Sequence, residues 1–357
     1  MTVLKIAGFF ILLFIIIAAV YAAYVIFSYK RLPDRLPLSV EQGADATAIL
    51  TTGQEYSVAT YNIGFGAYTP EFSFFMDGGK HSWAKSKDSV TETVTGAAAY
   101  VKEQLAPDFL LWQEVDLRAT RSYKVNEYDL LREYFGEYDA VFAQNYDSAF
   151  LFYPFHQPHG KSLAGMITMS KYPVESSLRR SFPISDSFSK FLDLDRCYSI
   201  SRILVDNGKY LCLFNLHMSA YGNSDEIRQG QIQMLCEDMA REYEAGNYVV
   251  CGGDFNHDLK ALSESHEELD SWRYPFPRED LPEGFAFCID GLSQGERNKM
   301  HNSARDANAS YQPETTFTVT LDGFILSDNV RCVSYENVDL QYAYSDHDPV
   351  LLRFVLE

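Results

Sequence analysis

None of the six cysteines forms a C-x-x-C pair, and no cysteine–histidine group has zinc-ligand spacing. A redox-active dithiol motif and a structural zinc site are thereby excluded. Cys212 and Cys251 lie in apolar runs, where a thiol behaves as a small core residue, so free buried thiols are expected rather than disulfides. Basic residues are few: 30 Lys and Arg stand against 49 Asp and Glu, for a formal net charge of −19. No dense Lys/Arg stripe occurs, and a surface this acidic repels polyanions at long range. Nucleic acid is therefore disfavoured as a partner, although a local basic groove could still hold it. Internal repeats and low-complexity tracts are also missing. Met76-Asp77-Gly78-Gly79-Lys80 has the outline of a phosphate-cradling loop, but it lacks the P-loop spacing and the Ser/Thr that follows it.

What is present is a chain of 357 residues, 46% hydrophobic and 15% aromatic, enough for a sizeable core and against wholesale disorder. Between Ile6 and Ser28 there is no charged residue. As a helix this run would extend about 34 Å, enough to cross a bilayer core of about 30 Å. A cleaved signal peptide has a shorter apolar region, about 7–15 residues, and here the run continues past the cleavage-like Val20-Tyr21-Ala22 to Phe27. Residues 1–30 are therefore read as a retained single-pass membrane anchor. Lys30, Arg31 and Arg35, taken alone, would hold the large domain in the cytoplasm. A short tail, one apolar helix and a large domain is also the usual build for export, and an extracytoplasmic domain is expected.

Residues 31–55, with Pro33, Pro37, Gly43 and Gly53 among small and polar side chains, read as a linker, a coil spanning about 25–30 Å. No composition break divides 56–357, which is expected as one catalytic domain and as a monomer. Ser57 to Tyr61 reads as a first strand. Lys85 to Leu105 reads as an amphipathic helix, with Val90, Val94, Ala97, Val101 and Leu105 on one stripe and Pro107 after it. Further strands are expected at Asp108–Trp112, Gly165–Met169 and Tyr248–Cys251. Tyr198–Val205 should pair with Tyr210–Leu216 across an Asp206-Asn207-Gly208 turn. A second helix covers Glu226 to Tyr243. Phe324–Leu326, Arg331–Tyr335 and Pro349–Leu356 close the set. Mixed strands with few long helices predict a layered α/β domain rather than a strict βαβ repeat.

Polar groups follow these strands directly: Asn62, Glu114, His217, then Asp254 with Asn256, while Asp346 and His347 precede the last apolar run. Any one of them is more often a turn former or cap than a ligand. Five such coincidences with one chemistry are not, because α/β folds place ligands at strand ends. Glu114, Asp346, Asp254, Asn62 and Asn256 offer only oxygen-type donors, which Mg²⁺ selects. His217 and His347 can give and take protons near neutral pH. Together they suit hydrolysis of a phosphoester by water attacking in line with the departing oxygen.

Asn62 in Ala-Thr-Tyr-Asn, Gln113-Glu114-Val115-Asp116, Asn215-Leu216-His217, Gly253-Asp254-Phe255-Asn256 and Ser345-Asp346-His347 resemble, in order, the signature motifs of the endonuclease/exonuclease/phosphatase superfamily. Gly165 to Pro173 also resembles a strand-and-turn element of that family. The superfamily includes deoxyribonucleases, abasic-site endonucleases, sphingomyelinases and inositol-polyphosphate phosphatases. The resemblance implies a four-layered α/β sandwich of two packed mixed sheets and a hydrolase using Mg²⁺, with Mn²⁺ an alternative. It implies Glu114, Asn62 and Asp346 as metal ligands and Asp254 as the group that orients or activates water. Asn256 would hold the phosphate or a second metal. His347 would be general base or charge stabiliser, oriented by Asp322, and His217 would donate to the phosphate or leaving group. Gly323 after Asp322 departs from the family pattern. Arg118 and Arg121 could clamp a phosphate, though each could equally be a solvated surface arginine. The loop carrying His156, His159 and Lys161 reads as ordinary surface, with substrate contact the alternative, and Phe72, Phe74 and Phe75 read as core or rim. The anchor and the acidity together favour a lipid head group or a small organophosphate near the membrane. A membrane-anchored extracellular nuclease and a catalytically silent, membrane-tethered binding module are the alternatives.

Overall fold

Side-chain alternation along one strand sets the architecture, because successive residues of a strand face opposite sides of its sheet. Tyr56 and Val58 join a core cluster shared by two sheets, while Ala59 and Tyr61 join another that includes helical Val90, Val94 and Ala97. The computed structural model describes residues 2–44, 48–191, 194–219, 225–261 and 274–357. Its strands are β1 (Leu36–Leu38), β2 (Val40–Glu41), β3 (Glu55–Asn62), β4 (Phe109–Asp116), β5 (Asp139–Asp147), β6 (Leu163–Ser170), β7 (Val174–Ser181) and β8 (Cys197–Leu204). They continue as β9 (Tyr210–His217), β10 (Tyr248–Asp254), β11 (Phe285–Phe287), β12 (Ala304–Arg305), β13 (Thr318–Val319), β14 (Asp322–Ser327), β15 (Val330–Asn337) and β16 (Val350–Leu356).

One seven-stranded sheet has the order β1-β7-β8-β9-β10-β14-β11 and the other β15-β16-β3-β4-β6-β5-β2, with β12 and β13 as a separate ribbon. Parallel pairs occur at β3–β4 and β9–β10. Val58, Phe109, Leu111, Leu213, Val250, Phe324 and Leu352 fill the space between the sheets. The helix α2 (Lys87–Tyr100), capped by Ser86 and extended by a turn to Leu105, covers one outer face with α3 (Glu127–Tyr134). The opposite face packs Ile232, Leu235 and Met239 of α4 (Asp225–Glu244) over Phe214, Val249 and Cys251. Helix, sheet, sheet and helix layers are thus the four-layered mixed α/β sandwich expected. The Asp206-Asn207-Gly208 turn is also there, with Leu204 opposite Tyr210 and Gly208 at φ +79°. All six cysteines are free thiols.

The stretch expected as a free linker is largely taken up by the domain. β1 pairs antiparallel with β7 at the edge of one sheet, and β2 pairs antiparallel with β5 at the edge of the other. Arg31 ion-pairs with Asp195 at 3.0 Å, and Asp34 accepts from Arg180 and the Ser181 backbone at 2.9 Å each. A short strand tolerates Pro37 because edge positions leave ladder hydrogen bonds unused. Ahead of it the N-terminal helix, α1 (Thr2–Ser28), is long and apolar enough to cross a membrane.

Candidate active site

Four of the expected residues stand at the C-terminal ends of parallel neighbours: Asn62 and Glu114 on β3 and β4, His217 and Asp254 on β9 and β10. What aligns the two sheets is a buried polar layer just beneath. Gln113 Nε2 donates to Asn215 Oδ1 at 2.8 Å and to Thr60 Oγ1 at 3.1 Å, and Asn215 Nδ2 donates to the Ile167 carbonyl at 3.0 Å. An amide in an apolar interior is costly unless paired, so only a matching register satisfies both side chains.

Local distortions then direct the carboxylates. A bulge between Trp112 and Val115 interrupts the β4–β6 pairing, and Glu114 within it has φ +55°; such bulges re-aim a side chain next to active sites. Gly253 has φ +142°, and a Cβ there would lie 2.1 Å from the Leu216 carbonyl oxygen. Only glycine lets β10 run this close to β9 and bring Asp254 opposite His217. Asn256, also in the left-handed region at φ +50°, donates its backbone N–H to Asp254 Oδ1 at 2.9 Å and its Nδ2 to the Met218 carbonyl at 2.9 Å.

Asn62 bridges the sheets, its Nδ2 donating to Glu114 Oε1 at 3.2 Å and Asp254 Oδ2 at 3.1 Å, while its Oδ1 accepts from Gly64 N at 3.0 Å. A role as metal ligand, which the family resemblance implies for Asn62, needs its oxygen to face the cation. As placed, the nitrogen faces the carboxylates, and Asn62 would have to turn its amide over to ligate a cation. Asp254 Oδ2 lies 3.6 Å from His217 Nε2 and 3.8 Å from His347 Nε2. His347 Nδ1 donates to Asp322 Oδ2 at 2.7 Å, and Ser303 Oγ donates to the same oxygen at 2.7 Å, so Gly323 does not disturb the pairing. Ser345 Oγ donates to the Asn62 carbonyl at 2.8 Å and accepts from His347 N at 3.2 Å, holding the last motif against β3.

Electrostatics separate the two histidines. Burial opposes charge on His347, but Asp322 and then Asp254 outweigh it and hold the imidazole well above its ordinary 6.5. Burial, followed by Arg196, His347 and Arg121, holds His217 well below 6.5. Burial lifts Asp254 to about 7, although His347 opposes the rise. Asp346 is lifted to about 6, mainly by burial, with His347 opposing and Glu114 adding. A buried carboxylate raised partly by another is a place where a cation is stabilised. The all-oxygen character of Glu114 and Asp346 fits a hard divalent ion. Asp254, Asp322 and His347 form a second group whose ligand atoms all lie within 4.8 Å of one another.

Glu114, His217, Asp254, Asp346 and His347 line a cleft of about 280 Å³ together with Asn256, Arg121 and Arg196, whereas Asn62 and Asp322 lie outside its lining. Arg121 is buried, stacks over Phe65 at 3.8 Å and makes a two-point contact with Asp116 at 2.9 and 3.2 Å. Arg118 is exposed and lies outside the cleft lining. Sequence reading missed Arg196, Arg305, Asn145 and Tyr146, which also line the cleft; nothing in their neighbourhoods marks them, since only long-range pairing brings them in. His159, Phe74, Met76 and Asp77 line it as well, whereas His156 and Lys161 are exposed.

Residues 59–347 match the model of the endonuclease/exonuclease/phosphatase family. The chain belongs to this family. It is similar to an inositol phosphosphingolipids phospholipase C of Schizosaccharomyces pombe, 24% identical over 256 residues that cover 62% of this chain. The chain spans only 59% of that protein's length. The fold is similar to an endonuclease/exonuclease/phosphatase from Beutenbergia cavernae, with TM-score 0.54 and 14% identity over 85% of this chain and 72% of that one. It also resembles ANGEL2, a 2′,3′-cyclic phosphatase solved with adenosine-2′,3′-vanadate, with TM-score 0.55 and 14% identity over 90% of this chain and 99% of that one.

Proposed function

We propose that the chain is a divalent-metal-dependent phosphoesterase, Mg²⁺ being the working ion and Mn²⁺ a substitute, that hydrolyses a lipid head group or small organophosphate beside a membrane. The observation that carries this reading is the position of Asp254, within 4 Å of both histidines and bridged through Asn62 to Glu114. Glu114 and Asp346, with Asn62 after its amide turns, would hold the ion, which when bound neutralises phosphate oxygens. Asp254 orients the attacking water. Asn256 and His217 hold the phosphate, and His347, steadied by Asp322, stabilises the charge that develops on it. Arg196, Arg121 and Arg305 make the cleft locally attractive to a phosphate in a chain that is otherwise acidic. The N-terminal helix and the phosphosphingolipid named for the fission-yeast relative both favour a membrane-borne ester, and a short tail, one apolar helix and a large domain are the build that favours the extracytoplasmic side.

The full chain in lipid nanodiscs, with Mg²⁺ or with EDTA, is offered plasmid DNA, a chromogenic phosphodiester, inositol phosphates and phospholipid or sphingolipid vesicles. Asp254→Asn and His347→Ala proteins run beside it. Metal-dependent turnover of lipid or small ester, lost in both variants, supports the proposal. DNA turnover lost in both would make this a surface nuclease. A folded protein that turns over nothing would be a binding module on the same scaffold.

A further inference from the structure

The aromatic loop between β5 and β6 lies against the N-terminal helix at the height where that helix leaves its exposed stretch. Along residues 3–20 every helical side chain is exposed, whereas in the last two turns 21–23 and Ser28 are half-buried and Val25 is buried, with Tyr24, Ile26 and Phe27 exposed on the other face. The exposed stretch is roughly 27 Å long at about 1.5 Å per residue, close to the hydrocarbon thickness of about 30 Å. Tyr21 and Tyr24 therefore fall at the boundary where tyrosine concentrates in membrane proteins. Both are tied to one residue of the domain: Tyr21 OH donates to the Phe150 carbonyl at 3.0 Å, and Phe150 N donates to Tyr24 OH at 3.0 Å. Phe152 packs edge-on against Tyr21 with ring centroids 5.0 Å apart.

From there the loop carries apolar side chains into solvent. Phe152 is 50% exposed, Tyr153 65% and Phe155 85%. A contiguous exposed aromatic patch of this kind marks an interaction surface. Between Ser148 and Lys161 there is no carboxylate, in a chain of net charge −19, so nothing in the loop repels an anionic lipid surface. The patch also reaches the catalytic cleft. Tyr153 meets Phe75 at 5.9 Å, and next to Phe75 stand Met76, 64% exposed, and Asp77, both of which line the cleft. His159, at the loop's far end, lines it too.

We infer that residues 150–158, with Met76, form a rim that sinks into the bilayer crossed by the N-terminal helix, so that the cleft opens onto that bilayer and takes its phosphate from a lipid head group within it. The inference rests on the proposed membrane-borne phosphoesterase and narrows its substrate to lipid. The helix fixes both the occupant and the depth: Phe152 packs on Tyr21, at the end of the stretch that the bilayer would surround.

The test uses the full chain in liposomes. Phe155→Cys carries an environment-sensitive fluorophore, Asn207→Cys at the opposite end of β9 serves as control, and the unsubstituted chain corrects for labelling of native thiols. The fluorophore at 155 should be quenched by shallow spin-labelled lipid and shielded from aqueous iodide, and the one at 207 the reverse. Phe152→Ser with Phe155→Ser should raise KM for vesicle lipid by about tenfold or more, since interfacial binding scales with buried apolar area. KM for a soluble chromogenic diester should stay unchanged. Release of the chain by alkaline carbonate would defeat the membrane reading itself. Retention of the chain with position 155 open to iodide would overturn the rim while leaving the anchor standing. Equal loss on both substrates would mean that the loop only supports the fold and would also overturn it.

Discussion

Gln113 Nε2 donates to Asn215 Oδ1 across 2.8 Å, joining the two sheets directly under the cleft. Replacing Asn215 by Leu leaves the Gln113 amide buried without its partner, which costs about 1–3 kcal/mol. The outcome is a lower urea midpoint together with a loss of activity larger than stability explains, because Glu114 and His217 follow these two residues. Gln113→Leu combined with Asn215→Leu should recover part of the stability and none of the activity; independent, additive losses would show that the bond does not couple the sheets.

The two arginines after Glu114 should behave in opposite ways. Arg118→Ala, at an exposed position outside the cleft, should leave stability within about 0.5 kcal/mol and activity unchanged. Arg121→Ala strands the buried Asp116, which sits beside Glu127, whose carboxyl is raised by burial and then by Asp116 itself. Breaking a buried pair in this way costs about 3–5 kcal/mol. Thermal denaturation of the two proteins side by side decides the matter.

Metal binding has a readout that does not require turnover. A ligand held by the folded state alone raises the melting temperature by mass action, so millimolar Mg²⁺ should stabilise the EDTA-treated protein. Glu114→Gln should lose that increment, whereas His217→Gln should keep it. An equal Mg²⁺ increment in Glu114→Gln would remove this carboxylate from the ion site.

Acid should act through a cleft histidine that is not among the proposed ion ligands. His159, packed near Phe74 and Phe75, is lowered from 6.5 to about 3, by burial first and then by Arg121. The folded protein keeps it neutral while the unfolded chain protonates it near its ordinary value. Its contribution is therefore complete above about pH 6.5 and declines as pH falls toward 3, by up to about 1.4 kcal/mol per pH unit. Urea unfolding at pH 7.5, 6 and 5 should show the gap between native protein and His159→Gln narrowing with acid; a gap independent of pH would falsify this.

The core of the site was legible because its residues immediately follow strongly apolar strands. Leu110-Leu111-Trp112 announces Glu114, and Val249 to Cys251 announces Asp254. β7 was not legible: Val-Glu-Ser-Ser-Leu-Arg-Arg-Ser carries no apolar alternation, and buried Arg179 and Arg180 are compensated by Asp195, Asp34 and Asp238 from elsewhere in the chain. Pairings that arise only in the folded chain leave no local pattern. The same holds for Arg305, which enters the cleft on the small β12–β13 ribbon. β1 and β2 were hidden by their brevity and by Pro37, and the eight-residue α3 by its polar, half-exposed face.

Those two brief strands have a kinetic consequence. Only residues 29–35 separate the N-terminal helix from β1, and Arg31, Leu32 and Asp34 within them are already bonded to the domain. With that helix in a bilayer, a domain held on so short a leash would not sample the bulk solution. On a membrane it would respond to how many substrate molecules occupy each unit of area, so mixing inert lipid into the bilayer would slow it while adding buffer would not.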